Sequence, residues 1–144
     1  VSLPEQTFVT ASAEETIALG RQLSALLPEQ GAVLLIGNLG AGKTTLVKGI
    51  AEARGAASLE EVSSPTFPLI HEYGDPPRVF HVDLYRLETE REVLTLGLDE
   101  LLDRRALTLI EWGERFPALW PKATPRIQID YADGDQRRIT LSAG

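Results

Sequence analysis

Apolar residues along this chain fall into two kinds of run. Ala32-Val33-Leu34-Leu35-Ile36 and Ala106-Leu107-Thr108-Leu109-Ile110 are short and nearly continuous, the pattern of strands buried on both faces of a sheet. Ile17, Leu19, Leu23, Leu26 and Leu27 instead recur at helical spacing. They follow Ser12-Ala13-Glu14-Glu15, which has the S-x-x-E form of a capping box, so a helix is predicted from there to Pro28. A second helix is predicted over residues 45–54, stopped by Gly55. Residues 6–10 read as an opening strand, and residues 56–65 as a polar, irregular loop. Two strand-like stretches, residues 67–73 and 78–83, flank the turn signal Gly74-Asp75-Pro76-Pro77 and predict an antiparallel hairpin. Residues 88–96 read as a helix ended by Gly97, followed by a further helical turn over residues 99–105. Residues 126–131 and 137–142, either side of Ala132-Asp133-Gly134-Asp135, read as a terminal hairpin. Strands alternating with helices, with antiparallel hairpins added, specify a three-layer α/β fold with a mostly parallel central sheet.

The segment joining the first buried strand to the second helix carries the chemistry. Gly37-Asn38-Leu39-Gly40-Ala41-Gly42-Lys43-Thr44-Thr45 matches G-x-x-x-x-G-K-[ST] in the strand, glycine loop, helix setting that the motif requires. Glycines let backbone N–H groups curl round a polyphosphate without Cβ clashes, and the helix N-terminus adds its positive dipole end. Lys43 is expected to neutralise the β/γ oxygens, and the Thr44 hydroxyl to hold Mg²⁺. Nucleoside triphosphate binding is therefore expected at Asn38, Leu39, Gly40, Ala41, Gly42, Lys43, Thr44 and Thr45.

Composition narrows the partners. The 144 residues suit a single domain with a substantial core. No stretch approaches the ~20 apolar residues of a membrane span, and nothing at the N-terminus resembles a signal peptide. Position 1 is not methionine, so the start is read as processed, trimmed or non-standard. With no cysteine there are no disulfides and no thiolate metal sites. A net charge of −7 without a basic run argues against the chain gripping nucleic acid by itself. It leaves open work beside a protein that does.

Phosphoryl transfer needs Mg²⁺ against the phosphates and a group to orient the attacking atom. In open parallel sheets ligands sit beyond the carboxyl ends of strands, so acids that close apolar strands are the candidates. Asp83 closes Val79-Phe80-His81-Val82 in Walker-B fashion, toward the Mg²⁺ shell. Leu84 follows it, so the common adjacent catalytic Glu is missing. Glu111, closing residues 106–110, is the best substitute, as water-orienting group or further Mg²⁺ partner. Trp112 beside it suits a site wall, a partner contact or plain packing. Thr66, within Ser63-Ser64-Pro65-Thr66-Phe67, occupies the place of a switch segment. His81 reads as a packed or hydrogen-bonded histidine rather than a ligand, His71 carries no signal, and Arg137 and Arg138 read as a solvated strand face.

Four blocks in order resemble the bacterial TsaE (YjeE-type) P-loop ATPases of the tRNA threonylcarbamoyladenosine pathway. They are residues 37–45, Ser64-Pro65-Thr66-Phe67, His81-Val82-Asp83-Leu84-Tyr85-Arg86-Leu87 and Glu111-Trp112. The H-x-D-x-Y-R-L block and the Glu-Trp pair discriminate, because the glycine loop alone is shared by many NTPases. The resemblance implies a P-loop NTPase fold and a cytoplasmic, weak, Mg²⁺-dependent ATPase that joins TsaB and TsaD. That assembly modifies adenosine 37 of ANN-decoding tRNAs; the ATPase resets it rather than performing the transfer, and meets tRNA only through the partners. By matching positions, Lys43, Asp83, Glu111 and Thr66 are catalytic, Thr44, Asp83 and Glu111 serve the metal, and Trp112 walls the site or meets a partner. A small-molecule kinase is disfavoured because residues 86–105 make a short, acidic lid, and a GTPase because no N-K-x-D-type guanine reader follows. A binding module whose nucleotide merely organises an interface shades into the main reading.

Overall fold

The computed structural model describes residues 5–38, 42–62 and 69–143. Seven strands form one sheet: β1 (Gln6–Thr10), β2 (Gly31–Ile36), β3 (Ile70–Gly74), β4 (Pro77–Asp83), β5 (Leu107–Glu111), β6 (Pro125–Tyr131) and β7 (Arg137–Ala143). They lie in the order β1-β7-β6-β2-β5-β4-β3. β6, β2, β5 and β4 are mutually parallel, while β3 adds antiparallel at one edge and β7 adds antiparallel to β6 at the other side. β1 then pairs antiparallel with β7.

Alternate residues of the central strands feed two cores. Val33 and Leu35 of β2, Leu107 and Leu109 of β5 and Val79 of β4 pack beneath α1 (Ala13–Ser24) and α2 (Lys43–Ala53). Leu34, Ile110 and Val82 face the other way, against α3 (Glu90–Leu94), α4 (Leu98–Leu102) and the short 3-10 turns that bring Phe116 and Trp120. Every residue of β5 is buried, which is why its sequence does not alternate. The expected three layers are present, one deep and one thin.

Several helix limits differ from expectation for local reasons. Ser12 caps α1 by accepting from Glu15 N–H, but Glu15 answers to Ala11 N–H rather than to Ser12 itself. The α1 helix stops at Ser24 instead of running to Leu27. Pro28 offers no N–H to the Ser24 carbonyl, and Arg54 donates instead to the carbonyls of Ser24 and Leu27 and to the Ser24 hydroxyl. α3 starts two residues late because Thr89 and Glu92 form a reciprocal capping box there. α4 begins at Leu98, after Gly97 in the left-handed region, and ends at Leu102, leaving Arg104 and Arg105 outside it. Helix α2 begins at Lys43, earlier than predicted, directly after Gly42 at φ 110°.

Candidate active site at the carboxyl ends of β4 and β5

Asp83 and Glu111 are register partners on adjacent parallel strands. Such partners project to one face of a sheet, and His81, two residues before Asp83, shares it. That face is the one covered by α2, whose first residue is Lys43. Glu111 sits between the two basic groups. Its Oε1 lies 3.3 Å from Lys43 Nζ and its Oε2 lies 2.5 Å from His81 Nε2. Lys43 also donates to the Gly37 carbonyl at 2.8 Å and stands 4.5 Å from the centre of the Trp112 ring. Lys43 and Glu111 are each only 5% exposed, and His81 is fully buried.

A carboxylate can only accept, so the proton shared with Glu111 belongs to His81 Nε2 and the imidazole donates. His81 Nδ1 has no hydrogen-bond partner among the described residues. Burial pushes the Glu111 carboxyl up, but the His81 hydrogen bond and the His81 and Lys43 charges outweigh it and hold the group below its ordinary value. Asp83 is the opposite case. Half-burial raises its carboxyl and the neighbouring Glu111 charge adds to that, while the Tyr85 N–H bond to Oδ1 at 2.9 Å offsets only part. The Lys43 and His81 charges act on both carboxylates, but they prevail over burial only at Glu111.

Trp112 is held in the left-handed region at φ 67°, an arrangement that costs a non-glycine residue about 1–3 kcal/mol and concentrates at functional sites. Its ring packs against Tyr85 at 5.2 Å between centres, with Lys43 as its other close polar neighbour. Arg115 fixes the loop bearing Tyr85 by donating to the carbonyls of Tyr85 and Leu87, at 2.7 and 2.6 Å. His81 is the packed, hydrogen-bonded histidine expected from the sequence, but its partner Glu111 was not foreseen, and no role was assigned to Tyr85 or Arg115. Alternation along H-x-D was the signal available for His81, since it places that ring on the Asp83 face.

The remaining candidates divide. Thr44 and Thr45 lie in the first turn of α2, and Asn38 is exposed just after β2. Leu39, Gly40, Ala41, Thr66 and the rest of the Ser63–Phe67 stretch lie outside the described residues. Arg137 and Arg138 sit on β7, two strands away from β2, where Arg137 covers the Tyr131 ring. His71 bonds the Tyr73 hydroxyl on the β3–β4 hairpin.

Comparison with known proteins identifies the family. The family model described as "Threonylcarbamoyl adenosine biosynthesis protein TsaE" matches residues 10–139. A Bacillus subtilis protein named tRNA threonylcarbamoyladenosine biosynthesis protein TsaE is 39% identical over 135 residues, covering 93% of this chain and 83% of its own. The Treponema pallidum protein of the same name is 36% identical, with 93% and 98% covered. The Rickettsia bellii one is 37% identical, with 97% and 96% covered. A crystal structure of Bacillus subtilis YdiB superposes with a TM-score of 0.76 at 31% identity, over 99% of this chain and 87% of that one. The sheet order and this match are those of a P-loop NTPase fold. On sequence and structure alike, this chain belongs to the TsaE family.

Proposed function

We propose that residues 1–144 act as one ATPase domain. It binds ATP with Mg²⁺ and hydrolyses it weakly alone, in the service of threonylcarbamoylation of adenosine 37 in ANN-decoding tRNAs. It acts in the cytoplasm through TsaB and TsaD, without performing the transfer or holding tRNA itself. The names of the relatives support the pathway. The observation that carries the chemistry is the convergence of Lys43, Glu111 and Asp83 beside the first turn of α2.

The donor set fits a magnesium–nucleotide. Mg²⁺ takes hard oxygens and is usually held by one or two carboxylates together with substrate phosphates, not by a protein cage. No cluster of three or more acidic, histidine or cysteine side chains able to hold a metal occurs among the described residues. Asp83, half-buried at the end of β4, with the Thr44 hydroxyl, is the pair assigned to the ion, which would supply charge neutralisation at the phosphate oxygens. Lys43 would bind a phosphate by exchanging the Gly37 carbonyl and Glu111 for it. Release of Lys43 frees Glu111 Oε1 to orient the attacking water, while His81 keeps Oε2 fixed. Trp112 walls the lysine from solvent. Thr66 takes the switch role, and Asn38, Leu39, Gly40, Ala41, Gly42 and Thr45 the phosphate cradle.

Two measurements test this reading. Titration calorimetry with Mg-ATP should show binding that Lys43→Ala weakens about ten- to a hundredfold, the worth of a charge-assisted contact. Unchanged affinity would remove Lys43 from the site. The chain should also be retained by TsaB–TsaD in the presence of ATP and not in its absence; ATP-indifferent behaviour would overturn the coupling.

A further inference from the structure

A cavity of about 720 Å³ opens at the end of the sheet opposite Lys43. The C-terminal ends of α1 and α2, the β3–β4 turn and the segment entering β5 enclose it. Arg54, Arg78, Arg104 and Arg105 line it, against Glu29 as the single acid in the lining. On a chain of net charge −7 with only 14 basic residues, that concentration is a local reversal of sign.

The four guanidiniums are not equivalent. Arg54 is locked by its bonds to the Ser24 and Leu27 groups, so its position is fixed whatever arrives. Arg104 rests on the Phe80 ring, 5.3 Å from its centre, and meets Glu72 only at 3.9 Å. Arg78 and Arg105 pair with no carboxylate among the described residues. Guanidinium forks match phosphate oxygens two at a time, and a low-dielectric concave wall strengthens that attraction. Leu27 and the prolines of the β3–β4 turn add an apolar floor. The volume lies in the range of small-molecule sites, about 300–1,000 Å³, which suits a compact ligand better than an extended polymer.

We propose that this cavity is a second anion site, separate from the glycine loop, that takes a phosphate-bearing small molecule of nucleotide size. The test is residue-resolved, because the glycine loop will also take such ligands. In proton–nitrogen correlation NMR, tripolyphosphate should produce saturable shifts at the Ala25, Arg54, Arg78, Arg104 and Arg105 amides. These should saturate independently of shifts at residues 37–45. An Arg78→Ser/Arg105→Ser double variant should weaken the cavity response roughly tenfold or more while leaving the glycine-loop response intact. Absent or non-saturating shifts at those amides in the wild-type protein would overturn the proposal, whether or not the double variant folds. An equal response to citrate would overturn the phosphate assignment. Tighter binding of a short single-stranded RNA than of tripolyphosphate would overturn the small-molecule assignment. Absence of saturable shifts at residues 37–45 in the same spectra would count against the proposed ATPase and leave this site standing.

Discussion

The two ends of the sheet carry charge in opposite ways. At the carboxyl end Lys43, Glu111 and His81 are buried, and Glu111 pairs with both basic groups across three elements. At the amino end Arg78, Arg104 and Arg105 are exposed around an open cavity, with little to neutralise them. Burying a charge costs several kcal/mol, recovered only when partners are placed accurately, so removing one partner strands the rest. An exposed charge costs almost nothing to keep and almost nothing to lose. The first end is therefore coupled to the stability of the fold, and the second is free to be spent on a ligand.

Breaking the buried end should give the largest effect. Glu111→Gln keeps the shape but strands the Lys43 ammonium, and should destabilise the protein by about 3 kcal/mol in urea unfolding. It should also abolish hydrolysis more than ATP binding. A loss under about 1 kcal/mol, the worth of a surface pair, would show that the cluster is wetter than its burial indicates. The pH dependence has a definite sign. Glu111 is held below its ordinary value, so its contribution is complete above the unfolded carboxylate pKa of about 4.3 and disappears as pH falls through the lower folded one. The gap between wild type and Glu111→Gln should be flat from neutrality to about pH 5 and close in stronger acid.

The strut joining the two ends gives the next effect. α2 starts at Lys43 and ends beside Arg54, a span of about 16 Å. It crosses α1 through a glycine pair: a Cβ on Gly49 would lie 2.1 Å from the Ile17 carbonyl oxygen, and one on Gly20 would lie 2.5 Å from that of Leu46. Gly49→Ala should cost about 1–3 kcal/mol of stability through overpacking, although alanine is the better helix former. A stabilised Gly49→Ala variant would mean that the helices are not pressed together as described.

That crossing also marks where reading the sequence stopped. Continuous apolar runs announced β2 and β5, and G-x-x-x-x-G-K-T with its flanks announced α2, because local pattern determines them. Asp83 and Glu111 were legible as strand-closing acids, and the register of β4 on β5 places them side by side. What pairs elements distant in sequence was not legible. Gly20 with Gly49, Arg54 bonding Ser24 at the end of α1, His81 meeting Glu111 and Arg115 pinning Tyr85 join residues 29 or 30 positions apart. The arginine cavity was missed for the same reason: Arg54, Arg78 and Arg104-Arg105 are scattered in the chain and meet only where parallel strands begin together.

The smallest effect is expected at that amino end, and its smallness sharpens the contrast. Arg78 and Arg105 are exposed and carry no ion pair among the described residues, so Arg78→Ser/Arg105→Ser removes no buried contact. Surface changes of this kind stay within about 0.5 kcal/mol. Two opposing terms remain: the chain becomes more acidic overall, while repulsion among four neighbouring guanidiniums is relieved. Salt separates them, since exposed charges are screened beyond about 10 Å at 0.1 M ionic strength. Urea unfolding at low and high salt should therefore give near-identical midpoints for variant and wild type at high salt. If the variant instead lost as much stability as Glu111→Gln, these arginines would be structural, and the asymmetry between the ends would disappear.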